Sequence, residues 1–113
     1  MKIDKDTGHT LEAYFKRATS PLMVLRLLTE RPMYVYEISQ VLKERSRGGY
    51  TIVVLYPVLY KLEEQGFVSV VSTEIESNRL RSYYGITQAG QEHYTSLLQA
   101  YRAMVDITNQ LLQ

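Results

Sequence analysis

The sequence predicts a mainly α-helical chain that carries one small β-hairpin and ends in a long helix. Three observations lead there. Apolar residues recur at helical spacing in successive stretches between Leu11 and Leu112. One stretch abandons that spacing: Phe67 to Ile86 is rich in Val, Ser, Thr and Tyr and is divided by a polar break. After Thr87 no proline interrupts the chain, and the only glycine, Gly90, comes near the start.

Met1 to Thr10 is polar and mixed in charge, which reads as a flexible N-terminal end. Leu11, Tyr14, Phe15 and Ala18 then mark a short amphipathic helix. Ser20-Pro21 has the form of an N-cap followed by a first-turn proline. Pro21 fits a kink in one continuous helix equally well, and the sequence leaves both open. Leu22 to Leu28 is apolar on most sides, so it belongs in the centre of the molecule. Thr29 to Met33 reads as a loop. Val35, Ile38 and Leu42 define a compact second helix over Tyr34 to Lys43, followed by an Arg-Ser-Arg-Gly-Gly turn at 45–49.

Ile52, Leu55, Leu59 and Leu62 form the apolar stripe of a third helix. Pro57 limits its start, because proline has no N–H and is tolerated only while first-turn donors are unpaired. The regular helix is expected to begin near Val53 or Val54. Gly66 closes it as a left-handed C-cap. Phe67 to Thr73 reads as a strand, Glu74 to Asn78 as a turn and Arg79 to Ile86 as the returning strand. Thr87 caps the last helix, over Gln88 to Leu112. The chain thus divides into a flexible end (1–10), a helical domain with its hairpin (11–86) and a C-terminal helix (87–113).

Bulk properties narrow the function. A chain of 113 residues suits one domain, and a net charge of +1 does not by itself mark a nucleic-acid binder. Any such case must rest on where the charges lie. There are no cysteines, which removes disulfides and thiolate chemistry. The longest apolar run, Leu22 to Leu28, contains Arg26 and is far too short to span a bilayer. Lys2, Asp4, Lys5 and Asp6 are unlike a secretory leader, so a cytoplasmic protein is expected. His9 and His93 stand alone, without a second ligand or a paired carboxylate, and Gly48-Gly49 lacks the flanking lysine of a phosphate loop. An enzyme, a metal site and a cofactor are therefore not expected. Ten Tyr beside two Phe and no Trp invite a surface role for some of the tyrosines.

Three short helices followed at once by a two-stranded hairpin is the layout of a winged helix-turn-helix, whose third helix enters the major groove. The residues then become more specific. Leu55 to Val68 reads Leu-Tyr-Pro-Val-Leu-Tyr-Lys-Leu-Glu-Glu-Gln-Gly-Phe-Val, Arg81 to Gly90 reads Arg-Ser-Tyr-Tyr-Gly-Ile-Thr-Gln-Ala-Gly, and Tyr34 to Ile38 reads Tyr-Val-Tyr-Glu-Ile. Together, and in this order, they resemble the PadR-like family of transcriptional regulators. The resemblance covers roughly residues 20 to 112, and the single C-terminal helix looks like the family's short-tailed branch. It implies a dimeric DNA-binding regulator, more often a repressor, that responds to a small aromatic or hydrophobic effector.

Leu55, Leu59 and Leu62 pin the third helix to the core, so Val53, Tyr56, Tyr60, Lys61 and Glu64 face outward. With Thr51 at the rim, these supply the recognition surface. Lys43, Arg45 and Arg47 before the helix and Arg79 and Arg81 on the wing are placed for phosphates, which supply affinity without sequence information. Tyr34 and Tyr36 are expected near the DNA backbone, with at least one of them packed into the core. One departure matters. The family usually has a small or polar residue before Leu-Tyr-Pro, and here Val54 follows Ile52 and Val53. Such a start has no capping side chain and few donors for base edges, although valine can contact a thymine methyl.

The last helix would reach about 36 Å at 1.5 Å per residue, longer than a domain of this size covers by itself. Its stripe of Tyr94, Leu97, Leu98, Tyr101, Met104, Val105, Leu111 and Leu112 is expected to meet a second copy, together with Tyr14 and Phe15 from the first helix. Tyr94 and Tyr101 lie a heptad apart on one face and could stack on a planar effector between subunits. The alternative is a winged helix kept as a protein–protein module without DNA reading, which the near-zero charge and the Val53-Val54 start favour.

Overall fold

A computed structural model describes residues 9–113. The flexible end expected at 1–10 falls largely outside those residues. Helix α1 spans Leu11–Leu28 without a break at Pro21. Its N-cap, Thr10, accepts from the Ala13 N–H at 3.1 Å. Proline at 21 leaves the Arg17 carbonyl without its helical donor. The Ser20 hydroxyl donates to that carbonyl at 3.3 Å, and Thr19 Oγ1 donates to the Phe15 carbonyl at 2.7 Å. Side-chain hydroxyls thus carry the helix past the proline. The half after Pro21 is the central one, with Val24 and Leu25 fully buried; the half before it leaves Leu11, Tyr14 and Phe15 exposed.

Helix α2 spans Val35–Arg45 and α3 spans Leu55–Glu64. Residue Glu37 accepts from the Tyr34 N–H at 3.3 Å, satisfying one orphan donor at the start of α2. Helix α3 begins one to two residues later than expected, so Pro57 is its third residue, still within the turn whose donors have no partners. Its N-cap, Val54, makes no side-chain bond. At the far end Gly66 has φ 82°. The Gly66 N–H donates to the Glu63 carbonyl and the Phe67 N–H to the Leu62 carbonyl, both at 2.9 Å. That is the paired closure in which a left-handed glycine turns the chain out of a helix.

Strands β1 (Val68–Glu76) and β2 (Arg79–Ile86) form one antiparallel hairpin. The strand pairing runs further than expected. Glu74, Ile75 and Glu76 pair with Arg81, Leu80 and Arg79, and only Ser77 and Asn78 turn. Both have positive φ, 52° and 62°, the backbone that a two-residue hairpin turn requires. A bulge between Val70 and Ser72 shifts the register. At the base of the wing, Met33 and Tyr84 exchange backbone hydrogen bonds of 3.0 and 2.8 Å, tying the α1–α2 loop to β2.

Helix α4 spans Gln88–Leu111. Thr87 Oγ1 accepts from the Gly90 N–H at 3.0 Å and donates to the Gly66 carbonyl at 2.7 Å, so one hydroxyl joins the end of α3 to the start of α4. The core gathers Val24, Leu25, Leu28, Met33, Ile38, Leu42, Leu55, Leu59, Leu62, Val68 and Tyr84, with Phe67 and Leu97 packed at its edge. Neither Tyr34 nor Tyr36 belongs to it, which corrects the expectation that one would. Met33 and Tyr84 fill that place, leaving Tyr34 half-buried and Tyr36 63% exposed.

Candidate nucleic-acid interface

The outer face of α3 is as its helical phase demands: Tyr56, Tyr60, Lys61 and Glu64 are exposed, and Val53, just before the helix, is 95% exposed. The Tyr56 and Tyr60 rings lie one turn apart with centroids 5.6 Å from each other. Each is about half exposed, so both side chains remain available to a partner. Thr51 is half-buried at the rim.

Between α3, the start of α2 and the wing lies a cleft of about 880 Å³. Tyr34, Tyr36, Tyr56 and Tyr60 line it on the helical side, and Glu76, Arg79, Leu80 and Arg81 on the wing side. The Arg81 guanidinium stands over the Tyr34 ring, 4.1 Å from its centre. Tyr34 also stacks on Tyr36 at 6.5 Å and meets the edge of Tyr83 at 5.3 Å. Cation and ring attract through the ring's negative face. This contact locks the wing to α2 and fixes how far the wing stands from α3.

The basic residues divide into two groups. Arg45 is bound by Glu30 through both terminal nitrogens, and Glu30 also takes Arg26 at 2.9 Å. The Arg45 hydrogen bonds are the main reason the Glu30 carboxyl titrates at about 2, well below its usual 4.5. Arg81 pairs with Glu76 at 2.5 Å besides covering Tyr34. Lys43, Arg47, Lys61 and Arg79 have no carboxylate partner among the described residues. Arg47 sits in a turn with φ 53°, followed by Gly48 at φ 80°.

Tyr50 holds the approach to α3. Its hydroxyl donates to Thr19 Oγ1 at 2.6 Å, since the Thr19 proton goes to the Phe15 carbonyl, and lies 3.3 Å from the Lys16 carbonyl, fastening the loop to α1. Burial pushes its phenol above the usual value. Neither this anchor nor Leu80 and Ile75 on the wing was expected from sequence. The apolar pair had a signal in the chain, since Ile75 and Leu80 flank the hairpin turn symmetrically.

On α4, Tyr94, Leu97, Leu98, Tyr101 and Val105 are half-buried, whereas Met104, Leu111 and Leu112 are exposed. Phe15 meets Tyr101 edge-on at 6.4 Å. Tyr14 is exposed and lies beside Arg17.

A helix-turn-helix pair followed by a β-hairpin wing, with α3 presented outward, defines a winged helix-turn-helix protein. Residues 24–96 match the model of the transcriptional regulator PadR-like family, and the chain belongs to that family. Its members are transcriptional regulators, not enzymes. Among solved structures it is similar to a transcriptional regulator from Clostridium thermocellum, with 25% identity and a TM-score of 0.81, covering 88% of this chain and 99% of that one. It is also similar to a PadR family transcriptional regulator from Eggerthella lenta, with 25% identity and a TM-score of 0.78, covering 88% and 87% of the two chains. A Lysinibacillus sphaericus protein described as uncharacterized protein X is 27% identical over 93 residues, 80% of this chain and 85% of its own length. Among the described residues no helix is long and apolar enough to cross a membrane.

Proposed function

We propose that this chain is a dimeric DNA-binding transcriptional repressor that acts in the cytoplasm and is relieved by a small aromatic or hydrophobic effector. The observation that carries the DNA reading is a set of cations on α3, the loop before it and the wing that have no carboxylate partner among the described residues. Lys61 lies on the helix, Arg47 in the loop before it and Arg79 on the wing across the cleft. Duplex DNA presents dense negative charge to such a surface. Tyr34, Tyr36, Tyr56 and Tyr60 add rings and hydroxyls for the backbone between those cations. Thr51 and Val53 face the base edges, and Arg81 and Arg45 add charge where they release Glu76 and Glu30.

The dimer reading rests on α4. Met104, Ile107, Leu111 and Leu112 remain between 48% and 80% exposed in the single chain. Each large apolar side chain in water forgoes roughly 1.5–3 kcal/mol of burial. A second copy offering the same stripe, with Tyr14 and Phe15 alongside, would recover it. The effector reading rests on Tyr94 and Tyr101, half-buried on the same face, and on the family's character. Repression is the family's commoner mode.

The test is a salt titration of binding to a mixed-sequence duplex. A repressor of this design binds with an affinity that falls steeply as salt rises. Absent or salt-independent binding would instead support the protein–protein module, which the net charge of +1 and the valine start of α3 favour.

A further inference from the structure

We infer that Val53 and Val54 read the C5 methyl groups of thymines in the major groove, so that the preferred operator carries thymine where the tip of α3 meets the base edges. This rests on the DNA-binding reading above and specifies what its third helix recognises.

Val53 is 95% exposed and Val54 64% exposed. They stand at the leading end of α3, the end that a helix-turn-helix directs into the major groove. No charged side chain and no amide occupies the segment from Thr51 to Val58; the hydroxyls of Thr51 and Tyr56 are its only side-chain donors. Bidentate recognition of guanine or adenine needs Arg, Lys, Asn or Gln, and none is present there. In the major groove the one apolar feature of an unmodified base pair is the thymine methyl. Valine against the polar edge of guanine or cytosine would strip water from donors and acceptors and return no hydrogen bond. The apolar tip therefore favours thymine both by what it buries and by what it refuses.

Charge decides that the occupant is DNA and not an apolar protein surface. Lys43 and Arg47 precede the valines in the chain, Lys61 lies further along α3 and Arg79 on the wing, and none of these has a carboxylate partner among the described residues. An apolar partner would bring those cations out of water without compensation, whereas phosphates match them.

The experiment compares binding of the full chain to an alternating adenine–thymine duplex and to the same duplex with deoxyuridine replacing thymidine. The two differ only in the C5 methyl, and every register of the first presents methyls to the valines. Loss of one buried methyl corresponds to about fourfold in affinity. The expected result is at least that preference for the thymine duplex, abolished in the V53S/V54S variant. Serine is favoured at the N-cap position that Val54 holds, so the variant keeps its fold. Equal, salt-dependent binding to both duplexes would overturn this inference while leaving DNA binding intact. So would a preference that survives in V53S/V54S. Failure to bind either duplex at any salt would overturn both readings.

Discussion

Arg45 donates from its two terminal nitrogens to the two carboxylate oxygens of Glu30, each at 2.7 Å, clamping the end of α2 to the loop after α1. Two parallel charge-assisted bonds make this the best-formed ion pair on the surface of the helical domain. The Glu30 carboxyl is held at about 2, first by the Arg45 hydrogen bonds, against an opposing desolvation effect and with help from the charges of Arg45 and Arg26. Since the folded value lies below the ordinary 4.5, the stabilisation is fully present above that value. It is lost as pH falls through the interval from 4.5 to about 2. E30Q should therefore flatten the acid dependence of thermal stability over that interval. Parallel melting curves of E30Q and the parent across it would show that the pair contributes nothing.

The same pair grades the basic residues for DNA. Replacing Arg79 or Lys61 by Ala should lower the slope of log affinity against log salt by about 0.9 per lost phosphate contact. Arg81→Ala should lower it too, but by less because Arg81 must leave Glu76 first, and should also loosen the wing, because Tyr34 loses its cation. Arg45→Ala should change the slope less, since Arg45 must leave Glu30 before it can meet a phosphate. Salt titrations of the variants decide the order. A slope unchanged in both Arg79→Ala and Lys61→Ala would remove the phosphate role of this face.

Gly90 lies in the first turn of α4, directly on the Phe67 carbonyl. A Cβ there would run into that oxygen and come 2.8 Å from Ile86 Cγ1. Alanine ordinarily favours a helix interior by about 1 kcal/mol over glycine. Here the clash with fixed backbone reverses the sign, and Gly90→Ala should destabilise by about 1–3 kcal/mol as overpacking does. Denaturant unfolding measures it. A variant as stable as the parent would mean that α4 approaches the wing base less closely.

A chain ending at Leu98 should lose its partner. Such a chain keeps the half of α4 that packs on its own core, including Leu97, and discards Tyr101, Met104, Leu111 and Leu112. The full chain should run with the hydrodynamic mass of a dimer at micromolar concentration and the shortened one with that of a monomer. If the full chain is itself monomeric, or the shortened chain still dimerises fully, the stripe on α4 is not the interface.

The sequence by itself determined the features whose partners lie within a few residues. The order of the elements follows from apolar spacing, and Gly66 ends α3 because its closing bonds reach back only three to five residues. Thr87 could be recognised as a cap because its acceptor role is filled by Gly90, three residues on. The outward phase of Tyr56 and Tyr60 follows from the burial of Leu55 and Leu59 on the opposite side of the same helix. Tertiary structure decided what depends on distant neighbours. The first half of α1 continues through Pro21 because Ser20 covers the Arg17 carbonyl and Phe15 finds Tyr101 on α4. Tyr34 left the core because Met33 and Tyr84 pair across the base of the wing and Arg81 reaches over its ring. Arg45 is committed to Glu30, fifteen residues away, whereas Arg47, two residues further on, has no carboxylate partner among the described residues. Local capping and periodicity are written into neighbouring residues, but an ion pair or a ring contact exists only once packing brings separate elements within reach of each other.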